Sequence, residues 1–331
     1  MASLVILVSG QNKTSKIRFM KHFILQCEVG KENQILPYCD AIILGTNEKD
    51  LQELMFCFHR FEVHFEGLSV GVAFLGEDPE MQLGLIKHCI QRGSKVLLLG
   101  AEVSHYQQLS QHIEQVHLIS NRISWLDLAI TTHCLGFQRH LVSAEDIQLL
   151  EQRSMDSASL GLLTEDLNAM EPILRSSVAV HVDASVCKSA FAPDCRACEP
   201  SGLSPEELIQ MVRFASHSPG ITLIGFDTTA KELKSNVRSP MMDLYATAIW
   251  YFIEGLQQGP FLAATATEIT FVNLQDYDEI LEFAHDPMTQ RWWVRVQQEE
   301  SKAYLACTRT DHEEAVKGSV THRLHRYLFE N

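Results

Sequence analysis

Short apolar runs bounded by turn residues recur along the chain: LVILV at 4–8, AIILG at 41–45, VGVAFLG at 70–76, KVLLLG at 95–100, VHLIS at 116–120, VAVHV at 178–182, ITLIGF at 221–226 and EITFV at 268–272. Such runs are apolar almost throughout and end in Gly or a polar residue, which predicts strands buried on both faces of a parallel sheet. Helix-like stretches lie between several of them, at Pro79–Arg92, Ser104–Gln115, Ala144–Gln152 and Ser204–Ser216. Strand then helix, repeated, implies βαβ units and an α/β fold: a doubly wound parallel β-sheet with helices on both faces. Ser204-Pro205-Glu206-Glu207 supplies an N-cap serine, a proline at the first helical position and acidic residues in the first turn. Ala246–Gly255 reads as a helix stopped by glycine. The longest polar, loop-like stretch is 193–204. No internal repeat or Gly/Ser linker divides the chain. The expectation is a single domain over 1–331, with 265–331 a C-terminal extension of the sheet and an oligomer surface.

Composition narrows the classes of function. A chain of 331 residues that is 46% hydrophobic can bury a large core. Its formal net charge of −15 argues against nucleic acid or an anionic membrane as partner, since both require clustered Lys and Arg. No apolar run reaches the roughly 18 to 20 residues that span a bilayer. The opening MASLVILVSGQNKTSK is too short in apolar residues for a secretory signal, and the ending Phe329-Glu330-Asn331 is not a peroxisomal address. Nine scattered cysteines suit a reducing compartment, so the cytoplasm is expected.

Parallel-sheet enzymes place their chemistry at the carboxyl ends of strands. After KVLLLG comes Ala101-Glu102-Val103-Ser104-His105, and after VHLIS comes Asn121-Arg122-Ile123-Ser124. After VAVHV come Asp183-Ala184-Ser185 and then Phe191-Ala192-Pro193, and Asp227 follows ITLIGF. Four strand ends thus bring a polar set toward one pocket.

The order and spacing of these segments resemble the ureohydrolase family of arginase, agmatinase and formimidoylglutamase. Its strand ends carry Gly-Gly-Asp-His-Ser, then Asp-x-His-x-Asp, then Asp-x-Asp followed by a Phe-Ala-Pro-like turn. LGFQRHLV at 135–142, EPILRSSVAVHVDAS at 171–185, ATAIWYFIEG at 246–255 and RWWVRV at 291–296 resemble a formimidoylglutamase-like branch, and also an arginase-like protein of trypanosomes without the manganese pair. The resemblance implies an arginase-like α/β fold and, in active members, two Mn²⁺ ions whose bridging hydroxide attacks a guanidinium or formimino carbon. It places the metal ligands on Val103, Ser120, Arg122, Ser124, Asp183 and Ser185, of which Asp183 alone is a metal-binding side chain. Hydroxyls and a permanent guanidinium cannot replace the carboxylates and imidazoles a divalent pair needs. The acidic substrate-binding position falls near Ala230 or Lys231, and neither accepts a hydrogen bond from a cationic substrate.

Arg122 puts a fixed positive charge where a cation would sit. It is expected to pair internally with Asp183 or Asp227, the alternative being a solvent-facing side chain. His105, His181 and Asp227 form a possible vestigial pocket. Cys187, Cys195 and Cys198 contain one Cys-x-x-Cys spacing without a second pair, so ordinary thiols are expected over zinc or a redox pair. Trp292 and Trp293 are expected to pack against the core or a subunit neighbour, not to form a stacking platform. His133, His140, His217 and His285 read as surface or capping residues. The expectation is an arginase-fold protein with no metal and no cofactor, catalytically inactive, with a binding, regulatory or assembly role. Its partners would be copies of itself, a trimer by family resemblance, or a small polar ligand or another protein. The alternative is a ureohydrolase with a single-metal site built from Asp183, His105 and Asp227.

Overall fold

The computed structural model describes residues 2–7, 22–25, 39–62, 68–76, 78–123, 130–152, 156–232, 238–274, 277, 279–298 and 301–330. Among these residues ten strands form the main sheet: β1 (Ala2–Leu7), β2 (His22–Leu25), β3 (Ala41–Gly45), β4 (Val70–Phe74), β5 (Lys95–Leu99), β6 (Gln115–Ile119), β7 (Thr131–Phe137), β8 (Ala158–Ser159), β9 (Ala179–Asp183) and β10 (Leu223–Asp227). Their order is β2-β1-β4-β3-β5-β10-β9-β6-β7-β8. The eight strands from β4 to β8 run parallel, and β1 pairs antiparallel with both β2 and β4.

Alternate residues of each central strand feed different cores. Ile43, Leu97, Leu99, Val180, Val182 and Phe226 face α7 (Pro205–Ser216) and α8 (Pro240–Gln258), with α1 (Glu48–Phe58) on the same side. Ile42, Leu44, Val96, Leu98 and Leu118 face α2 (Pro79–Gln91) and α3 (Val103–Gln108). Burial on both faces is why these strands read as continuous apolar runs. Three shorter helices, α4 (Ala144–Gln152), α5 (Leu160–Glu165) and α6 (Glu171–Leu174), complete the layers.

The α7 cap forms as its sequence predicts: Glu207 N–H donates to Ser204 Oγ at 3.3 Å and Ser204 N–H to Glu207 Oε2 at 2.7 Å. The helix expected over 246–255 is longer than that, because Ser239 and Pro240 start it earlier and Gly259, at φ 85°, ends it. Gly255 lies inside the helix, where a Cβ would stand 1.8 Å from Ser216 Oγ. Close approach of α7 and α8, not a stop, is the physical reason for that glycine.

Residues 265–331 do not extend the parallel sheet as expected. Four strands there form a separate antiparallel meander: β11 (Glu268–Leu274), β12 (Glu279–Asp286), β13 (Arg291–Gln298) and β14 (Ser301–Cys307), in that order. β11 is exposed at Ile269 and Phe271 and buried at Val272 and Leu274, so it is a surface strand and not a two-sided core strand. The meander and α9 (Arg309–Val316) and α10 (His322–His325) share a core of Val272, Leu281, Phe283, Val294, Ala315 and Leu324. Two buried polar clasps hold it to the parallel-sheet layer. Arg175 pairs with Glu171 at 2.7 Å, donates to the Trp292 carbonyl at 3.1 Å and lies over the Trp293 ring. Asp156 accepts from Arg323, Arg326 and Tyr327 at 3.0, 2.7 and 3.0 Å. Trp293 is buried, and Trp292 stacks with His285 and His312, so both tryptophans serve packing.

Candidate functional site

The carboxyl ends of β6, β9 and β10 lie side by side, since β9 pairs with both neighbours. Asp183 ends β9 at the centre. Its Oδ1 accepts the Ser185 N–H at 2.8 Å, and its Oδ2 accepts the Ser185 hydroxyl at 2.6 Å and the Ser120 hydroxyl at 3.1 Å. The two hydroxyl oxygens are 3.4 Å apart. Ser185 is wholly buried and Ser120 nearly so. Both occupy positions to which the resemblance assigns metal ligands, yet each presents a proton to the one carboxylate that remains. A Mn²⁺ pair would need anionic or neutral lone pairs from all sides. These residues do not fit one.

The other predicted positions scatter around this cluster. Val103 opens α3 and packs against the apolar core beneath it. His105 turns back onto the same helix end, its Nδ1 accepting the Glu102 N–H at 3.0 Å. Burial lowers the His105 pKa, against the pull of Glu102. Ser124 lies outside the described residues.

Arg122 corrects an expectation. It is exposed, and the acidic groups meant to hold it are engaged elsewhere, Asp183 by the two serines and Asp227 by His181 and Thr229. Its backbone N–H donates to Ser120 Oγ at 3.3 Å. The side chain sits beyond the strand end, where the long guanidinium gains more from water than from a buried site. Arg122→Ala is therefore expected to change stability by less than about 0.5 kcal/mol in denaturant titration. A loss above about 2 kcal/mol would restore the internal pair.

His181 and Asp183 share a strand face, as alternation requires. His181 Nε2 lies 3.7 Å from Asp227 Oδ2, while its Nδ1 is buried without a partner among the described residues. Burial lowers the His181 pKa, and the Asp227 and Asp183 charges oppose that. Asp227 Oδ1 accepts the Thr229 N–H at 2.7 Å. The floor beneath is made by two phenols. Tyr106 donates to the Val180 carbonyl at 3.1 Å, a path left open because residue 225 is glycine. Tyr245 accepts the Ala184 N–H at 2.9 Å and donates to the Asp227 carbonyl at 2.7 Å. Burial first, then the two aspartates, holds the Tyr245 phenol well above its usual pKa, so it stays protonated.

Lys231, where the resemblance places a substrate-binding acid, points away to Asp50 and Glu53 of α1 at 2.7 and 2.5 Å. Among the described residues, no group of three or more His, Cys, Asp or Glu side chains could hold a metal ion. No helix among them is long and apolar enough to cross a membrane. Sequence reasoning missed Tyr106 and Tyr245, whose only signal is a phenol on a helix facing a strand end. It also misplaced two histidines. His133 and His285 are buried, and His133 stacks on His117 at 4.5 Å between ring centroids, whereas His217, though buried, caps the end of α7.

No family model matches this sequence, and no curated protein matches it either. Solved structures do. Trypanosoma cruzi formiminoglutamase with Mn²⁺ is 12% identical with a TM-score of 0.56, over 67% of this chain and 95% of that one. Formimidoylglutamase from Bacillus subtilis is 14% identical with a TM-score of 0.53, over 67% and 88%. Arginase from Bacillus subtilis is 9% identical with a TM-score of 0.50, over 65% and 98%. At such identities the likeness is one of architecture: this chain has the α/β fold of the formiminoglutamase and arginase structures.

Proposed function

We propose that this chain is an arginase-fold protein that does not hydrolyse guanidino or formimino compounds and serves as a binding, regulatory or assembly subunit. One observation carries the reading. Ser120 and Ser185 donate their hydroxyl protons to Asp183, so three of the six inferred ligand positions satisfy each other without a cation. The turning of Lys231 away from the strand ends also leaves no acid at the inferred substrate position. A cytoplasmic location and a homotrimer belong to the same proposal, the trimer by resemblance alone.

The test is metal analysis of the purified protein, followed by melting with and without EDTA and assays on arginine, agmatine and formiminoglutamate with added Mn²⁺. We expect no stoichiometric manganese, an unchanged melting temperature and no turnover. A metal that binds only the native state raises the melting point, and chelation removes that gain. Stoichiometric metal with turnover would favour the second reading, a ureohydrolase with a single-metal site. The specific observation for that reading is the 3.7 Å approach of His181 to Asp227, among the described residues a pair and not a three-ligand set.

A further inference from the structure

The turn that roofs the Asp183 cluster carries a pair of thiols in a defined geometry. Cys198 N–H donates to the Cys195 carbonyl at 3.3 Å, closing a four-residue turn. Such a turn brings its end Cα atoms within about 7 Å, and a disulfide spans roughly 4.4 to 6.8 Å. The adjacent Cys198 thiol, and then the backbone N–H groups of Ala197 and Cys198, hold the Cys195 thiol below its ordinary pKa, against burial and the Asp183 charge. The single Cys198 proton has a second acceptor in reach, the Ala184 carbonyl at 3.1 Å. Asn121 Nδ2 donates to the Ala197 carbonyl at 2.9 Å. The thiol turn is thereby bonded both to the Asp183–Ser185 turn and to the end of β6.

We propose that Cys195 and Cys198 are a dithiol oxidised by hydrogen peroxide or an equally small peroxide, and that the resulting disulfide loosens the Asp183–Ser185 strand end. Cys195 is only 5% exposed, which admits a two-oxygen molecule and excludes a tripeptide disulfide, while Cys198 is half-buried. The Cys195 thiolate attacks one peroxide oxygen. The O–O bond breaks, a sulfenic acid forms, and the departing hydroxide takes a proton to become water. The Cys198 sulfur then attacks the Cys195 sulfur. The S–S bond forms, the S–O bond breaks, and the hydroxyl leaves with the Cys198 proton as a second water. Two electrons pass from the dithiol to the peroxide. The disulfide removes the only proton that Cys198 could offer Ala184, and that carbonyl loses its thiol partner.

Neighbouring groups favour this pair over other chemistry. Cys187, the third thiol, is fully buried and pushed up to about 12, first by burial and then by Cys195, so it remains an inert protonated neighbour. A zinc site is not assembled, since no three ligand side chains converge among the described residues. On the far side the turn is anchored by Arg196 N–H to the Ala230 carbonyl at 2.9 Å and by Glu232 N–H to the Asp194 carbonyl at 2.7 Å. Movement on oxidation is therefore confined to the Cys198 end.

The experiment treats the unaltered chain with dilute hydrogen peroxide, alkylates the remaining thiols and maps disulfides by peptide mass. We expect a Cys195–Cys198 disulfide to form before any other cysteine oxidises, to be reversed by dithiothreitol, and to speed amide exchange across 183–187 several-fold. In Cys198→Ser, the sulfenic acid should persist on Cys195 and be captured by dimedone. Oxidation spread evenly over the cysteines, or a Cys187–Cys195 bridge, would overturn the proposal. So would a disulfide that leaves exchange at 183–187 unchanged. The mapping on the unaltered chain decides even where the variant fails to fold.

Discussion

Asp156→Ala is expected to cost about 3 to 5 kcal/mol and to free the C-terminal segment for proteolysis, the largest single effect in the molecule. Asp156 is 4% exposed and receives Arg323, Arg326 and Tyr327 together. Its removal strands two guanidinium groups in a site shielded from water, and that residual charge, more than the lost attraction, sets the cost. Denaturant unfolding of the variant against the parent measures it. A loss below about 1 kcal/mol would mean that water reaches the arginines and the clasp is a surface pair.

The same cluster gives the fold an acid limit. Burial lowers His133 to about 4 from an ordinary 6.5, with the nearby arginines adding to burial and Asp156 opposing it. His117 is lowered well below the ordinary value by burial, His133 and Arg323. The unfolded chain thus binds protons that the folded chain refuses, and stability falls as pH drops from about 6.5 toward 4. Burial alone would raise the Asp156 carboxyl, but Arg323, His133 and Arg326 together hold it below its usual range. Its contribution is present above the unfolded carboxylate pKa and is lost as pH falls through the lower folded value. Both signs agree. Melting temperature should decline continuously on acidification, and a flat profile from pH 7 to about 4.5 would contradict the buried histidine pair.

Ser120→Asp combined with Ser185→Asp is expected to cost more than about 3 kcal/mol in metal-free buffer, because it sets three carboxylates where one now stands. The present oxygens lie 2.6 to 3.4 Å apart, so the added charges cannot avoid one another. Mn²⁺ should return much of that loss, about 2.7 kcal/mol at a hundredfold excess over its dissociation constant. Thermal melts of the double variant with Mn²⁺ and with EDTA read both effects. If the cation gives no recovery, the strand ends no longer hold the spacing a metal needs, and altered side chains are not the whole loss.

Much of this arrangement is legible in the residues, for reasons that differ by element. The runs at 41–45, 95–100, 178–182 and 221–226 are buried on both faces, so their composition alone marks strands β3, β5, β9 and β10. β7, with the sequence TTHCLGF, carries threonines and a histidine whose burial depends on His117 and Asp156, which no local pattern encodes. Without that strand in the pattern, His133 reads as a surface or capping residue. The meander strands β12 to β14 have one wet face and lack the continuous apolar signal. At the site, the nearness of Ser120, Asp183 and Ser185 follows from adjacent strand ends. The direction of Arg122 does not, since it lies three residues past Ile119, the last position of β6. The clasps at Asp156 and Arg175 join residues far apart in sequence, which only tertiary packing brings together.

Tyr245 has a mechanical consequence. One hydroxyl on α8 is bonded to the Ala184 amide and the Asp227 carbonyl, so the ends of two strands hang from a single point on a helix. That helix is held on its outer side by Arg60 to Asp243 and by the Trp250 indole to the Glu62 carbonyl at 2.9 Å. A displacement of α8 would therefore act on both strand ends through the one hydroxyl they share.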